Sequence, residues 1–214
     1  GLAADPLAGF VDSAFLGRLG PAALGAAGVA LTAQYSFSKL YNDPLLRTTT
    51  SLVAGEAAAV QLAGGDEQAG ADRLGENVSA ALVLAVAIGL AQALFFLALA
   101  PRIVGNMVGT GANSVVMREP AINYLRFRSI GGPASCLLLV SQGIFRGLGD
   151  TATPLRCTLA GNALNVVLDA LFIGTFGWGC AGAAAATSIG NYAAVFLLLR
   201  ALRRKPGVNV RVGR

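Results

Sequence analysis

The chain has 214 residues, 55% hydrophobic and 13% charged, with a formal net charge of +5 and a mean hydropathy of +0.64. A soluble domain carries about 25% charged residues, so this chain lacks the polar surface to cover a water-exposed core, and lipid is its expected solvent. There is no histidine, and the three cysteines, at 136, 157 and 180, lack metal-ligand spacing; this argues against a zinc site and a Cys/His or Ser/His nucleophile.

A membrane helix needs about 20 mostly apolar residues. The first such run, Leu2 to Gly17, is already apolar at Leu2 and reads as a helix lacking its N-terminal part. Arg18 closes it, and Pro21 is suited to open the next helix. That second helix is expected from Ala22 to Leu62, bent at Pro44, where proline removes an internal hydrogen bond. A polar loop, residues 63–68, follows. The third span is expected at Val78–Leu99, then a Gly- and Asn-rich loop or short surface segment over Pro101–Ser114. The fourth is expected at Tyr124–Phe145 with a kink at Gly131, Gly132 and Pro133. After the turn-forming segment Arg146–Pro154, a fifth span is expected at Pro154–Phe176 and a sixth at Ala181–Leu202, stopped by Arg200, Arg203, Arg204 and Lys205.

Six crossings place the loops after helices two, four and six on one side. These carry Arg73, Arg146, Arg156, Arg200, Arg203, Arg204 and Lys205, against Arg18, Arg102 and Arg118 on the other. The excess puts the C-terminal end inside, although Arg126 and Arg128 fall near the outer end of helix four. Because the basic residues gather at the ends of apolar runs, the charge signals orientation and no nucleic acid is expected as a partner.

Two acids fall within apolar runs: Asp12 in helix one and Asp169 in helix five. An ionised carboxylate at a helix centre costs about 2.5 to 3.5 kcal/mol on insertion scales, so such groups read as functional unless packing explains them. Asn165 precedes Asp169 by one turn, and Asn162 and Thr158 extend the same polar stripe. Leu164, Val167, Leu168 and Leu171 occupy the other face. The functional reading is a wet cavity that binds a proton, a sodium ion or a substrate; the structural one is an interhelical hydrogen-bond network. In helix six, Gly182, Ala186, Gly190 and Ala194 form a small-residue seam for close packing. Thr187 lies beside this seam, and spacing alone does not single it out.

Two short motifs mislead. Gly177-Trp-Gly-Cys-Ala-Gly182 matches a dinucleotide-binding pattern, but no acid follows Asp169 to bind a ribose, and a turn between two helices explains it. Gly147-Leu-Gly-Asp150 resembles the signature of intramembrane aspartyl proteases. Its position between Arg146 and Pro154 instead makes Asp150 a surface cap of helix five. No enzymatic activity is expected.

Several segments together resemble the multidrug and toxic compound extrusion (MATE) transporters. They are Val11-Asp-Ser-Ala-Phe-Leu-Gly17, Arg146-Gly-Leu-Gly-Asp-Thr-Ala-Thr-Pro154, Asn165 to Asp169, and Gly182-Ala-Ala-Ala-Ala-Thr187. Ser38-Lys-Leu-Tyr-Asn-Asp-Pro-Leu-Leu46 further resembles the DinF-like branch. The resemblance implies an all-α membrane protein with six transmembrane helices, forming the N-terminal lobe of a twelve-helix transporter. Residues 1–205 would be that lobe and 206–214 the start of an inter-lobe linker or tail. It implies a proton- or sodium-coupled antiporter exporting organic compounds, with Asp12, Asn165, Asp169 and Thr187 as the coupling-ion site, sodium included, and Asn162 and Thr158 lining the cavity. Neutralising the acids would shift helix one, with Pro6 as a flex point. No cofactor is implied beyond the coupling ion. The expected partners are the lipid bilayer, a small organic substrate and a C-terminal six-helix lobe. The membrane, whether plasma, plastid envelope or bacterial inner membrane, is left open. A lipid-linked substrate flippase and a non-transporting half-protein are the competing readings.

Overall fold

The computed structural model describes residues 12–62, 67–108 and 112–205. Leu2 to Val11, including Pro6, and residues 206–214 lie outside that range, so only the end of the first expected helix is seen. That end is helical over residues 12–18 (α1) and closes through Leu19 and Gly20, whose amides bond the carbonyls of Leu16 (3.1 Å) and Gly17 (3.2 Å). Pro21 then opens α2 (Pro21–Leu62), where its missing N–H costs nothing. This helix of 42 residues runs through Pro44 without a break. At 1.5 Å per residue it is about 63 Å long, twice what a bilayer core requires.

The helix α3 (Glu67–Val108) is as long and contains Pro101. The loop expected from Pro101 to Ser114 is therefore mostly helix: α3 continues to Val108, and α4 (Ala112–Ile130) begins three residues after 109. Packing overrides the local turn signal here. Val104 beyond Pro101, and Ala121, Tyr124 and Leu125 beyond Pro120, are buried in one apolar cluster with Phe96 and Ala100. The fourth expected span accordingly starts 12 residues earlier than Tyr124. It divides at Gly131 into α4 and α5 (Gly132–Gly147), at the expected kink, where Pro133 sits in the first turn of the new helix.

The segment after α5 turns through Gly149 at φ +76°, a conformation suited to glycine, and leads into α6 (Ala152–Asp169). The expected fifth span is not α-helical throughout. From Ala170 to Thr175 it widens to a π-helix, with the Phe176 amide bonded five residues back to Leu171 (2.9 Å). Helix α7 (Gly179–Arg203) completes the lobe, close to the expected bounds.

Residues Gly70–Val108, Ala152–Thr175 and Gly179–Arg203 are each long and apolar enough to cross a bilayer. Helix α2 is interrupted by Lys39, Asn42, Asp43 and Arg47, and α4 by Arg118, Glu119, Arg126 and Arg128. The packing is that of a membrane fold. Leu94, Phe196 and Val167 are exposed, whereas Ser129, Ser141, Thr158, Asn165 and Asp169 are buried. One apolar cluster gathers Leu16, Phe96, Tyr124, Ile173 and Ala183; a second gathers Val53, Val78, Val140, Phe145 and Leu198. Polar contacts tie helices together along the same bundle, as where Gln92 donates to Ser38 (2.9 Å) between α3 and α2.

Candidate functional site

The polar stripe of α6 faces inward. Thr158, Gly161, Asn165 and Asp169 are buried, and Leu159, Leu164, Val167 and Leu171 are exposed. Small residues bring this stripe against α7. Gly182, Ala186, Gly190 and Ala194 of the α7 seam are all buried. An added methyl on Gly161 would lie 2.7 Å from the Gly190 carbonyl oxygen, and one on Gly190 2.8 Å from that of Gly161. This approach sets Asn165 beside Thr187.

The two helices and the end of α1 meet at four side chains. The Asn165 amide nitrogen donates to Asp12 Oδ1 (3.1 Å), and its oxygen accepts the Thr187 backbone N–H (3.0 Å). Thr187 Oγ1 lies 3.3 Å from Asp12 Oδ2 and 2.9 Å from the Ala183 carbonyl oxygen. Its single proton serves one of these acceptors at a time. Asp169, 0% exposed, has no donor to either carboxyl oxygen among the described residues. The group that faces it is the Asp12 carboxyl. Two carboxyls in contact bond each other only when one carries a proton, and two ionised ones need a cation between them. The structure therefore brings together Asp12, Asn165, Asp169 and Thr187. Thr158 lies lower on the same stripe, buried, and accepts a hydrogen bond from Gln142 (3.3 Å). Asn162 is half-buried between them.

Arg128 is a fifth member that the sequence reading treated only as a topology marker. Ser188, next to Thr187, donates to the Phe127 carbonyl (3.3 Å), which sets Arg128 at the depth of the acidic pair. Its guanidinium bonds Tyr124 and lies within charge range of Asp12 and Asp169, with a buried Nε that has no partner among the described residues. An arginine in mid-span is as costly in lipid as Asp12 or Asp169. The π-helical turn was also missed; it begins immediately after Asp169 and carries Phe172, whose ring stacks against those of Trp178 and Phe176. Asp150 lies in the loop expected for it. It accepts from the Thr153 amide (3.0 Å) and hydroxyl (2.8 Å) and pairs with Lys205. The Lys205 ammonium, then the Thr153 amide, hold its carboxyl well below the usual carboxylate range.

Among the described residues, a helical bundle with apolar residues outward and polar residues buried defines a polytopic membrane protein. The family model MatE matches residues 44–171, and the chain belongs to that family. It is 43% identical over 198 residues to Protein DETOXIFICATION 44, chloroplastic, from Arabidopsis thaliana, covering 92% of this chain and 38% of that protein. It is 33% identical over 203 residues to DNA damage-inducible protein F of Escherichia coli (strain K12), covering 93% and 40%. The outward-facing conformation of a multidrug resistance MATE family transporter of the MOP superfamily superposes with a TM-score of 0.73 at 25% identity, covering 99% of this chain and 44% of that one. The chain thus spans well under half the length of these relatives. It is a multi-pass integral membrane protein, and its relatives come from both chloroplasts and bacteria.

Proposed function

We propose that this chain is one lobe of a cation-coupled exporter of organic compounds, and that Asp12, Asn165, Asp169 and Thr187 hold its coupling proton or sodium ion. The observation that supports this reading is the meeting of two acids from α1 and α6, of which Asp169 has no hydrogen-bond donor among the described residues. Packing alone gives a poor account of Asp169, because a purely structural buried acid has its oxygens hydrogen-bonded. Asp12, Asn165, Asp169 and Thr187 each carry a side-chain oxygen, which suits a hard monovalent cation as well as a proton.

Charge balance gives the mechanism. With Arg128 nearby, two ionised acids leave one net negative charge, and one monovalent cation completes the balance. When the site is empty, the two carboxylates repel, and Asp12 of α1 is held by Asn165 of α6 and Thr187 of α7. When it is filled, α1 is drawn onto α6. This alternation, transmitted to a second six-helix lobe, would open the inter-lobe cavity to opposite sides in turn. Asn162 and Thr158 continue the polar stripe and would line that cavity. The small organic substrate binds between the lobes and is moved without covalent change.

The test is gradient-driven efflux by the full-length, two-lobed protein in proteoliposomes. Asp12→Asn and Asp169→Asn should each reduce efflux to background while leaving the protein monodisperse. Undiminished efflux in both variants would sink the proposal.

A further inference from the structure

A second feature takes no part in the acidic site. A groove of about 700 Å³ opens on the surface between α3 and α7, floored by Leu137 of α5. Its walls are apolar, with Leu82, Val86 and Leu90 on α3 and Leu199 on α7. Polar groups stand at one end only: Ser79 and Arg203. The Ser79 hydroxyl already donates to the Gly75 carbonyl (2.7 Å), so the free donors at that end belong to Arg203. Arg203 is exposed and has no hydrogen bond or ion pair among the described residues. The Lys205–Asp150 ion pair does not engage Arg203.

The length of the groove matches one leaflet. Ser79 and Leu90 are separated by roughly 16 Å of helix at 1.5 Å per residue. Half of a hydrocarbon core about 30 Å thick is about 15 Å. Ser79 lies at the start of the apolar stretch of α3, and Arg203 directly follows Leu202, the last apolar residue of α7. The charged end therefore falls at headgroup level and the apolar end near the bilayer midplane. The groove walls belong to α3 and α7, both long and apolar enough to cross a bilayer, so acyl chains are the apolar partner within reach.

We propose that this groove is a binding site for an anionic diacyl lipid, with one acyl chain along Leu82, Val86 and Leu90 and the lipid phosphate on Arg203. A zwitterionic lipid fills the same walls, but its headgroup has no net charge to offer the basic end, so discrimination falls on Arg203.

The experiment is native mass spectrometry of the full-length protein in mild detergent, titrated with phosphatidylglycerol or with phosphatidylcholine. The wild type should retain phosphatidylglycerol in preference. Arg203→Gln should weaken that retention about fivefold, the effect of one basic residue at an anionic surface, while Arg204→Gln leaves it unchanged. Val86→Trp, which fills the groove from an open position, should displace both lipids without altering elution on gel filtration. Equal retention of phosphatidylglycerol by wild type, Arg203→Gln and Val86→Trp would overturn the proposal. So would cross-linking of Val83→Cys to a second copy at unchanged lipid content, because protein would then cover the groove.

Discussion

Gly161 of α6 and Gly190 of α7 lie in mutual contact, each so close to the other's carbonyl oxygen that neither position has room for a methyl group. The atoms in the way are backbone, which cannot swing aside, and a methyl on Gly161 would also lie 2.8 Å from the Ala194 Cβ. Asn165 is one turn from Gly161 and Thr187 three residues from Gly190, so the same contact that closes the helix pair sets the geometry of the site. Gly161→Ala and Gly190→Ala should each destabilise the lobe by about 1 to 3 kcal/mol, the usual cost of overpacking. A fall in melting temperature of the detergent-solubilised protein, with Gly174→Ala as the unhindered control, checks this.

Removal of the Thr187 hydroxyl tests whether it serves the site or only its own helix. In Thr187→Val the Asp12 carboxylate loses one partner, and the lost bond to a charged group is worth about 1.5 kcal/mol. The apparent affinity for the coupling cation should fall about tenfold, with little change in melting temperature in the absence of the ion. An equal loss of stability with and without the ion would assign the hydroxyl to the Ala183 carbonyl alone.

Arg128 should act in the opposite direction. As the built-in counter-charge near Asp12 and Asp169, it competes with any cation entering the pair. Arg128→Gln should therefore bind the coupling cation more tightly and release it more slowly, so that transport slows under a saturating gradient. Ion titration of the purified full-length variant, paired with transport rates, reads both effects. Weaker ion binding in the variant would show that the guanidinium supports the site instead.

Ion-dependent stabilisation distinguishes the two coupling ions. Sodium should raise the melting temperature more than potassium if the pair takes sodium, and a transition with pH that is insensitive to sodium is expected if it takes a proton. In either case Asp169→Asn should abolish the effect, because under the proposed mechanism the ion would satisfy the Asp169 carboxyl, which has no hydrogen-bond donor among the described residues.

The loop acid has its own pH signature. Asp150 is held below its ordinary range first by Lys205 and then by the Thr153 amide. Its folded-state value lies below the unfolded one, so its stabilisation is complete above about pH 4 and is lost as pH falls through the folded-state value. Both partners are partly exposed, with relative side-chain accessibilities of 30% for Lys205 and 21% for Asp150. The ion pair therefore contributes no more than about 1 kcal/mol and the helix cap about as much again. Asp150→Asn should lower stability at pH 7 and converge on the wild type in strong acid, whereas Lys205→Gln should show a smaller loss with the same convergence.

Much of this protein was legible in its order of residues. Low charge and long apolar runs require a membrane fold, because no arrangement of this composition covers itself with polar groups in water. The inward stripe of α6 follows from four-residue spacing, since residues one turn apart share a face whatever surrounds them. The break at Gly131 and the cap at Asp150 are likewise local, set by a proline without an N–H and by a short acid ahead of a helix. Tertiary packing decided the rest. The helical path through Pro101 and Pro120 depends on Val104, Ala121 and Tyr124 reaching one buried cluster, which outweighs the local cost of each proline. The π-helical turn after Asp169 is a backbone hydrogen-bonding choice with no signature in its apolar sequence. The site itself joins Asp12, Arg128, Asp169 and Thr187 from four helices, separated by up to 175 positions between Asp12 and Thr187. Chain order can show that each group is costly in lipid, but which of them share that cost depends on how the helices pack.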